Sequence, residues 1–119
     1  KSINSLAFNL IALKYKQNNF DLNKNLIAKK EILKIQKEGD KLLKMNNIKI
    51  YQSAEARIKQ TLKSKNHTMS MLHAYQNKKK IELKDLWLSF ENLTKKVDVK
   101  MDFTKTVFNE INKKYHEFI

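Results

Sequence analysis

The amino-acid sequence predicts an all-α protein: a long antiparallel helical hairpin with one or two shorter C-terminal helices packed on it. Three observations predict this fold. The 119 residues include one glycine and no proline, the two residue types that most often interrupt regular structure. Lysine, leucine and other helix formers are common. Apolar residues recur at the three-four spacing of an amphipathic helix. The length fits a single domain over residues 1–119.

The first predicted helix covers about residues 3–45, with an apolar stripe on one side. Lysines repeat at the same spacing on the opposite side: Lys30, Lys34, Lys37, Lys41 and Lys44. Such a helix turns its apolar side inward and its lysines outward. Asparagine and aspartate between residues 18 and 25 are poor helix formers and predict a soft stretch. Gly39 falls on the apolar side, where it either allows a close helix approach or is simply tolerated.

The second predicted helix, continuing into a third, covers about residues 48–97. Fourteen positions at three-four spacing run from Tyr51 to Val97, and ten of them are apolar. As one unbroken helix this segment would be about 75 Å long, at roughly 1.5 Å per residue. Gln76 and Lys79 are two consecutive polar residues in this largely apolar series, so a hinge is expected at residues 76–80.

The strongest turn signal is Met45 followed by two asparagines. A loop this short forces the flanking helices to run antiparallel. Folding the chain back there places Ile35 beside Ile58 and Leu6 beside Trp87. Apolar residues then meet along the whole hairpin, and this agreement between pattern and turn is the main support for the hairpin.

The last predicted helix covers about residues 102–118, with Asp98 or Asp102 as its N-terminal cap. Trp87 and Phe90 lie in a stretch of the preceding helix that is apolar almost all round, which is typical of a helix covered on more than one side. Trp87 therefore either packs under the first and last helices or docks a neighbouring subunit. The packing interpretation is favoured.

The apolar residues at the start of the chain allow two interpretations. In one, Phe8 and Ile11 insert among lipid headgroups as an interfacial anchor. In the other, the segment packs into the core, and the pattern favours this for Leu6 and Leu10.

The formal net charge is +13, with 25 basic residues against 12 acidic ones. Such a field attracts polyanions, either nucleic acid or anionic lipid. Arg57 is the one arginine. Sequence-specific recognition of nucleic-acid bases depends largely on arginine, whose planar guanidinium group can donate two hydrogen bonds to one base. The composition thus favours a diffuse anionic membrane over nucleic acid. The predicted membrane-binding face consists of Lys30, Lys34, Lys37, Lys41, Lys44, Lys59 and Lys63.

No pattern in the sequence points to catalysis, a cofactor or a metal, so we expect a protein that is not an enzyme. The chain has no cysteine, hence no thiolate ligand or thiol nucleophile. His67 and His73 are six residues apart, not at the i,i+4 spacing of a shared metal. Acidic pairs such as Glu38 and Asp40 lie on a slender helix that offers no cleft to desolvate a carboxyl group.

Five stretches carry a family resemblance: residues 6–10, 26–47, 54–59, 69–75 and 101–105. The last of them has Met101, Asp102, Phe103 and Lys105, which is similar to a Met-Asp-Leu-x-Lys helix start. In order, spacing and charge these stretches resemble the core of the ESCRT-III family, most nearly the type-1 charged multivesicular body proteins. After Lys105 the register departs from that family.

The resemblance implies a cytoplasmic subunit, peripheral on endosomal membrane, that polymerises into a membrane-remodelling filament in multivesicular body sorting. It implies an anionic membrane, further copies of the chain and other ESCRT-III subunits as partners. It also implies a recycling AAA ATPase, recruited through a region that this sequence does not contain. The alternatives are a soluble coiled-coil adaptor or tether that grips a partner helix, and a helical protein that binds nucleic acid.

Overall fold

The protein is helical, as the scarcity of glycine and proline predicts, but its helices are shorter than expected. The computed structural model describes residues 2–119, with side chains from Ile3 onward. Over that range there are seven α-helices and no strand, which confirms the all-α prediction. The helices are α1 (Ser2–Tyr15), α2 (Asn19–Lys24), α3 (Leu26–Met45), α4 (Ala54–Leu62), α5 (Ser70–Gln76), α6 (Leu83–Val97) and α7 (Asp102–Lys114), with a 3-10 turn at His116–Phe118.

The central helix is α1, because its sequence is apolar on every side. Its fully buried apolar residues are Leu6, Ala7, Phe8, Leu10, Ile11, Ala12 and Leu13. A helix of that kind has to be covered all round, and α1 packs against α3, α5, α6 and α7. Phe8 and Ile11 are therefore core residues, and the interfacial anchor considered for them is not formed.

The predicted helix over residues 3–45 is instead three helices, α1 to α3. Lys16 ends α1 with a left-handed φ of 52°. The side chains of Asn18 and Asn25 each accept a 3.0 Å hydrogen bond from the backbone N–H three residues ahead and so cap α2 and α3. The asparagine side chain can hydrogen-bond to nearby backbone groups and so competes with helical hydrogen bonds. The helix therefore breaks in and next to the segment of poor helix formers at residues 18–25.

The predicted helix over residues 48–97 is likewise divided, into α4, α5 and α6. Residues 63–69 and 77–82 separate the three helices. The second break overlaps the hinge expected at residues 76–80 from residue 77 onward, and Lys78 has a left-handed φ of 56° there. The division lets the apolar face of each short helix reach the common core around α1.

The chain does reverse direction after α3, but not as a long hairpin. α3 ends at Met45, Asn47 takes a left-handed φ of 60°, and α4 then packs on α3. The Cα positions extend over 37 × 31 × 20 Å, which cannot contain a helix of about 75 Å. The extended antiparallel arrangement is therefore replaced by a globule in which α3 packs along α1.

The C-terminal helices close the core on its other side. α7 starts at Asp102, as expected for the last helix, and helical structure continues to Phe118 as the 3-10 turn. Trp87 of α6 stacks on Phe108 of α7 with 5.4 Å between ring centroids. Trp87 and Phe90 are 4% and 3% exposed, so both pack within the chain in this fold.

Candidate anionic-surface site

A row of lysines follows the outer side of α3, because residues three and four apart share one face of a helix. The row contains Lys30, Lys34, Lys37, Lys41 and Lys44, all of them exposed. The opposite side of α3 carries Ile32, Ile35 and Leu42, which are fully buried. The ammonium groups therefore face solvent while the helix is held by its apolar side.

A groove of about 530 Å³ lies between α3 and α4. Its lining includes four apolar side chains: Leu26, Leu33, Ile58 and Leu62. It also includes five lysines: Lys29, Lys30, Lys59, Lys63 and Lys65. Glu55 is the acidic residue of the lining, and Asn23 completes it. We call this feature the basic groove; its apolar lining and its ammonium groups suit a ligand that is both apolar and anionic.

The predicted lysines fall into two groups in the structure. Lys30, Lys59 and Lys63 come together around the basic groove. The remaining four continue along α3 away from it, in shallow depressions that begin beside Lys30 and end beside Met45. These four are Lys34, Lys37, Lys41 and Lys44.

Two of the seven predicted lysines interact with a group of the same chain. Lys37 Nζ lies 3.8 Å from a carboxylate oxygen of Glu55, and the side chains are 61% and 64% exposed, so the pair contributes little stability. Lys34 Nζ lies 4.4 Å from the ring centroid of Phe103. The other five make no ion pair within residues 2–119, which leaves their charge for an external anion.

The sequence pattern did not assign Lys29 and Lys65 to this site. Lys65 is one of the fourteen positions at three-four spacing that were expected to face inward on a long helix. It reaches the surface because α4 ends at Leu62. For Lys29, the one indication in the sequence that it belongs to the site is its position next to Lys30. Both residues join the site through the packing of α4 on α3, which the sequence pattern alone does not specify.

The arginine of the chain holds the groove in shape and is not free to bind an anion. Arg57 Nη2 lies 2.7 and 2.8 Å from the two carboxylate oxygens of Asp40, and Nε donates a 2.8 Å hydrogen bond to Gln36. The Arg57 and Asp40 side chains are 12% and 16% exposed. This ion pair fixes α4 to α3 beside the groove.

The described part of the chain contains no cluster of residues that could bind a metal ion. Over residues 2–119 no three histidine, aspartate or glutamate side chains stand close enough to hold a metal ion. The three histidines are exposed: His67, His73 and His116. Among the described helices, none is both long enough and apolar enough to span a bilayer.

No protein-family model, curated protein or solved structure matches this chain.

Proposed function

We propose that this protein binds anionic membrane surfaces through the lysines of the basic groove and of the outer face of α3. The observation that supports this most directly is the set of five exposed lysines with neither an ion pair nor an aromatic contact among the described residues, three of which flank an apolar groove. Each lysine held near an anionic bilayer contributes about 1 kcal/mol, so several acting together are needed for stable binding.

At a finer level, the family resemblance leads us to propose a membrane-remodelling subunit of the ESCRT-III type. It would act in multivesicular body sorting, peripheral on endosomal membrane, and assemble with further copies and related subunits. In that proposal the long hairpin is a membrane-bound conformation. It would form when residues 16–18, 25, 63–69 and 77–82 become helical and join the helices on either side of them. Because opening exposes the apolar surface of α1, it requires lipid or a neighbouring subunit to cover that surface.

A second candidate function is a soluble adaptor that binds a partner helix. The four apolar side chains of the basic groove lie between two helices, and such a groove can accept the apolar face of an amphipathic helix. In this case binding would depend on the partner protein, and vesicles would not compete for it.

Vesicle sedimentation tests the membrane proposal. The triple variant Lys30→Glu/Lys59→Glu/Lys63→Glu should bind vesicles containing phosphatidylserine on the order of 100-fold more weakly, since three contributions of about 1 kcal/mol are lost. The control Lys95→Glu/Lys96→Glu/Lys113→Glu carries the same charge change on α6 and α7 and should retain most of the binding. Equal losses in both variants would show that net charge, rather than this face, governs binding.

Binding measurements with neutral vesicles and with duplex DNA separate anionic-membrane binding from nucleic-acid binding. Vesicles of phosphatidylcholine alone should not bind, because they lack the anionic headgroup. Binding to duplex DNA with a steep salt dependence, together with no binding to anionic vesicles, would refute the membrane proposal and favour the nucleic-acid alternative.

A distance measurement tests the proposed membrane-bound conformation. Spin labels on Ala56→Cys and Lys95→Cys, both at exposed positions, would be about 58 Å apart along one continuous helix. The longest dimension of the compact fold is 37 Å. A long distance that appears with anionic vesicles supports the extended hairpin, and an unchanged short distance on vesicles contradicts it while leaving membrane binding intact.

A further inference from the structure

An exposed apolar patch lies where α2 meets α3. Leu26 is 70% exposed and Ile27 is 68% exposed. They are adjacent in the chain and share one hollow with Lys24 and Asn25. The ring of Phe20, itself 45% exposed, lies beside the lysine of this hollow, with Lys24 Nζ 4.0 Å from the ring centroid. Scattered apolar residues are normal on a protein surface, but a contiguous group indicates an interaction site.

Packing of the core does not explain why these positions are apolar. Leu26 and Ile27 open the first turn of α3, and the cap of that turn is the Asn25 side chain. Their own side chains are mostly in water and contribute little to the core. The first turn of α3 also lacks an acidic residue and is followed by Lys29 and Lys30, although the positive end of a helix favours acids. An apolar and positive helix start is unfavourable for the free protein and suited to an anionic, apolar partner.

The patch is continuous with the basic groove. Leu26 lines both the groove and the hollow at the α2–α3 junction. Lysines stand on either side of the two aliphatic residues: Lys24 before them, and Lys29 and Lys30 after them. Asp21 is the acidic residue of the hollow. Apolar side chains flanked by ammonium groups match the boundary layer of a bilayer, where acyl chains lie just below the headgroups.

We propose that Leu26 and Ile27, with Phe20 beside them, insert into the headgroup region of an anionic bilayer while the basic groove holds lipid headgroups. This inference rests on the proposed membrane binding and adds the point of insertion. It places the anchor at the α2–α3 junction and not at the start of the chain, where Phe8 and Ile11 are fully buried.

A fluorescent probe at the patch tests insertion directly. Because the chain has no cysteine, Ile27→Cys can carry a single environment-sensitive label such as NBD. The matched control is Leu88→Cys on α6, where Leu88 is an apolar residue 37% exposed. With vesicles containing phosphatidylserine, we expect a blue shift for the label at position 27. Brominated acyl chains should quench that label, and the label at position 88 should not respond.

Each other outcome overturns a defined part of the inference. If the vesicles bind the protein but the label at position 27 does not shift, insertion is wrong and the proposed membrane binding stands. If the unmodified protein does not bind these vesicles, both are wrong. If the shift appears without lipid as protein concentration rises, the patch is a contact between copies of this chain and insertion is wrong.

An affinity measurement completes the test without a label. The variant Leu26→Ser/Ile27→Ser should bind anionic vesicles on the order of 100-fold more weakly, about tenfold for each aliphatic side chain withdrawn from the interface. Its urea unfolding midpoint should match that of the unmodified protein because both side chains are exposed. The variant Leu88→Ser should keep its affinity. Unchanged vesicle affinity of the folded double variant would refute the insertion.

Discussion

Gly39 shows how a single residue determines the approach of two helices. A Cβ atom at this position would overlap Cγ1 and Cδ1 of Ile3 on α1. Ile3 is 2% exposed, so its side chain has little space into which it can move. Of the two sequence interpretations, the geometry favours the one in which glycine allows α1 to lie close to α3.

The variant Gly39→Ala should lower the free energy of unfolding by up to about 2 kcal/mol. Alanine gains up to about 1 kcal/mol in helix propensity, but overpacking of a filled core costs about 1–3 kcal/mol. Urea unfolding measures the difference. In the background Ile3→Ala, where the clash is removed, the same substitution should instead stabilise the protein. A stabilising effect in the native background would contradict the close approach.

Tyr115 links stability to alkaline pH. Its hydroxyl donates a 2.5 Å hydrogen bond to the backbone oxygen of Leu13, and its ring lies edge-on to Tyr75 with 4.8 Å between centroids. Burial, and then the neighbouring Tyr75, raise the pKa of Tyr115 above its ordinary value of 10.0. A raised pKa means that the folded state holds the phenolic proton more tightly than the unfolded chain does.

The contribution of Tyr115 to stability should therefore be fully present below about pH 10 and be lost as the pH rises through its raised pKa. The variant Tyr115→Phe should lose about 1 kcal/mol at neutral pH with the hydrogen bond and should show a shallower alkaline decline. Urea midpoints across this range measure both effects. Tyr51→Phe is the control, since Tyr51 is 85% exposed. Parallel pH profiles for the unmodified protein and Tyr115→Phe would refute the assignment.

Part of the alkaline decline should remain in Tyr115→Phe. Burial and a hydrogen bond to Glu31 raise the pKa of Tyr15. For Lys14, burial acts to lower the pKa, but the hydrogen bond and charge of Glu31 outweigh it and raise the pKa above its ordinary value. Both groups favour their protonated forms in the folded state, so their contributions are also lost as pH rises.

At the scale of elements, contacts distant in sequence fix where helices meet. The carboxylate of Glu38 on α3 accepts hydrogen bonds from the backbone N–H groups of Phe103 and Thr104, at 3.0 and 2.8 Å, and from the Thr104 hydroxyl at 2.6 Å. It thereby satisfies two of the free N–H groups at the start of α7. The expected caps, Asp98 and Asp102, do not serve this role: Asp98 ends α6 with a left-handed φ of 53°, and the N-cap position of α7 is Met101.

The ion pair of Arg57 and Asp40 should be the strongest single contact between α3 and α4. The variant Arg57→Ala leaves a mostly buried carboxylate unpaired and should lower the free energy of unfolding by about 2–4 kcal/mol. Arg57→Lys keeps the charge but loses the guanidinium geometry, and should cost less. A double-mutant cycle with Asp40→Asn should give a coupling energy of about 1–3 kcal/mol. A coupling energy near zero would show that the pair does not hold α4.

The sequence pattern predicts which residues are apolar and inward better than it predicts where helices end. Ile32, Ile35 and Leu42 are buried on α3 as their spacing indicates. The three-four spacing, however, continues through residues 63–69, where α4 has already ended. Helix ends depend on local caps such as Ser53, whose hydroxyl accepts the N–H of Ala56, and on long-range contacts such as Glu38 with α7. The first kind is visible in sequence and the second is not.

The candidate site was predictable to a similar extent. Helical spacing alone identifies the lysines of α3 as one outer row. The same spacing cannot show that Lys30 lies across a groove from Lys59 and Lys63, because that depends on how α4 packs on α3. The helical spacing places Ile27 on the inward apolar stripe of a long helix, whereas Ile27 and its neighbour Leu26 are exposed where Asn25 starts a new helix.

At the scale of the whole molecule, the apolar character of α1 decides between a globule and a rod. An extended hairpin covers a helix on one side only, and α1 has apolar residues on all sides. Wrapping α3, α5, α6 and α7 around it removes that surface from water. The net charge of +13 acts against compaction, but it is carried mainly by lysines at the surface, where solvent screens their repulsion.

Small-angle X-ray scattering of the free protein should therefore report a globule. The Cα radius of gyration is 13.7 Å, close to the value of about 13.5 Å expected for a compact domain of this length. A rod of about 75 Å, as one unbroken helix would give, has a radius of gyration near its length divided by the square root of twelve, about 22 Å. A value near 22 Å in dilute solution would contradict the compact fold. Lowering the salt concentration serves as the control: it strengthens repulsion between lysines, so a radius that stays nearly constant shows that burial of α1 outweighs that repulsion.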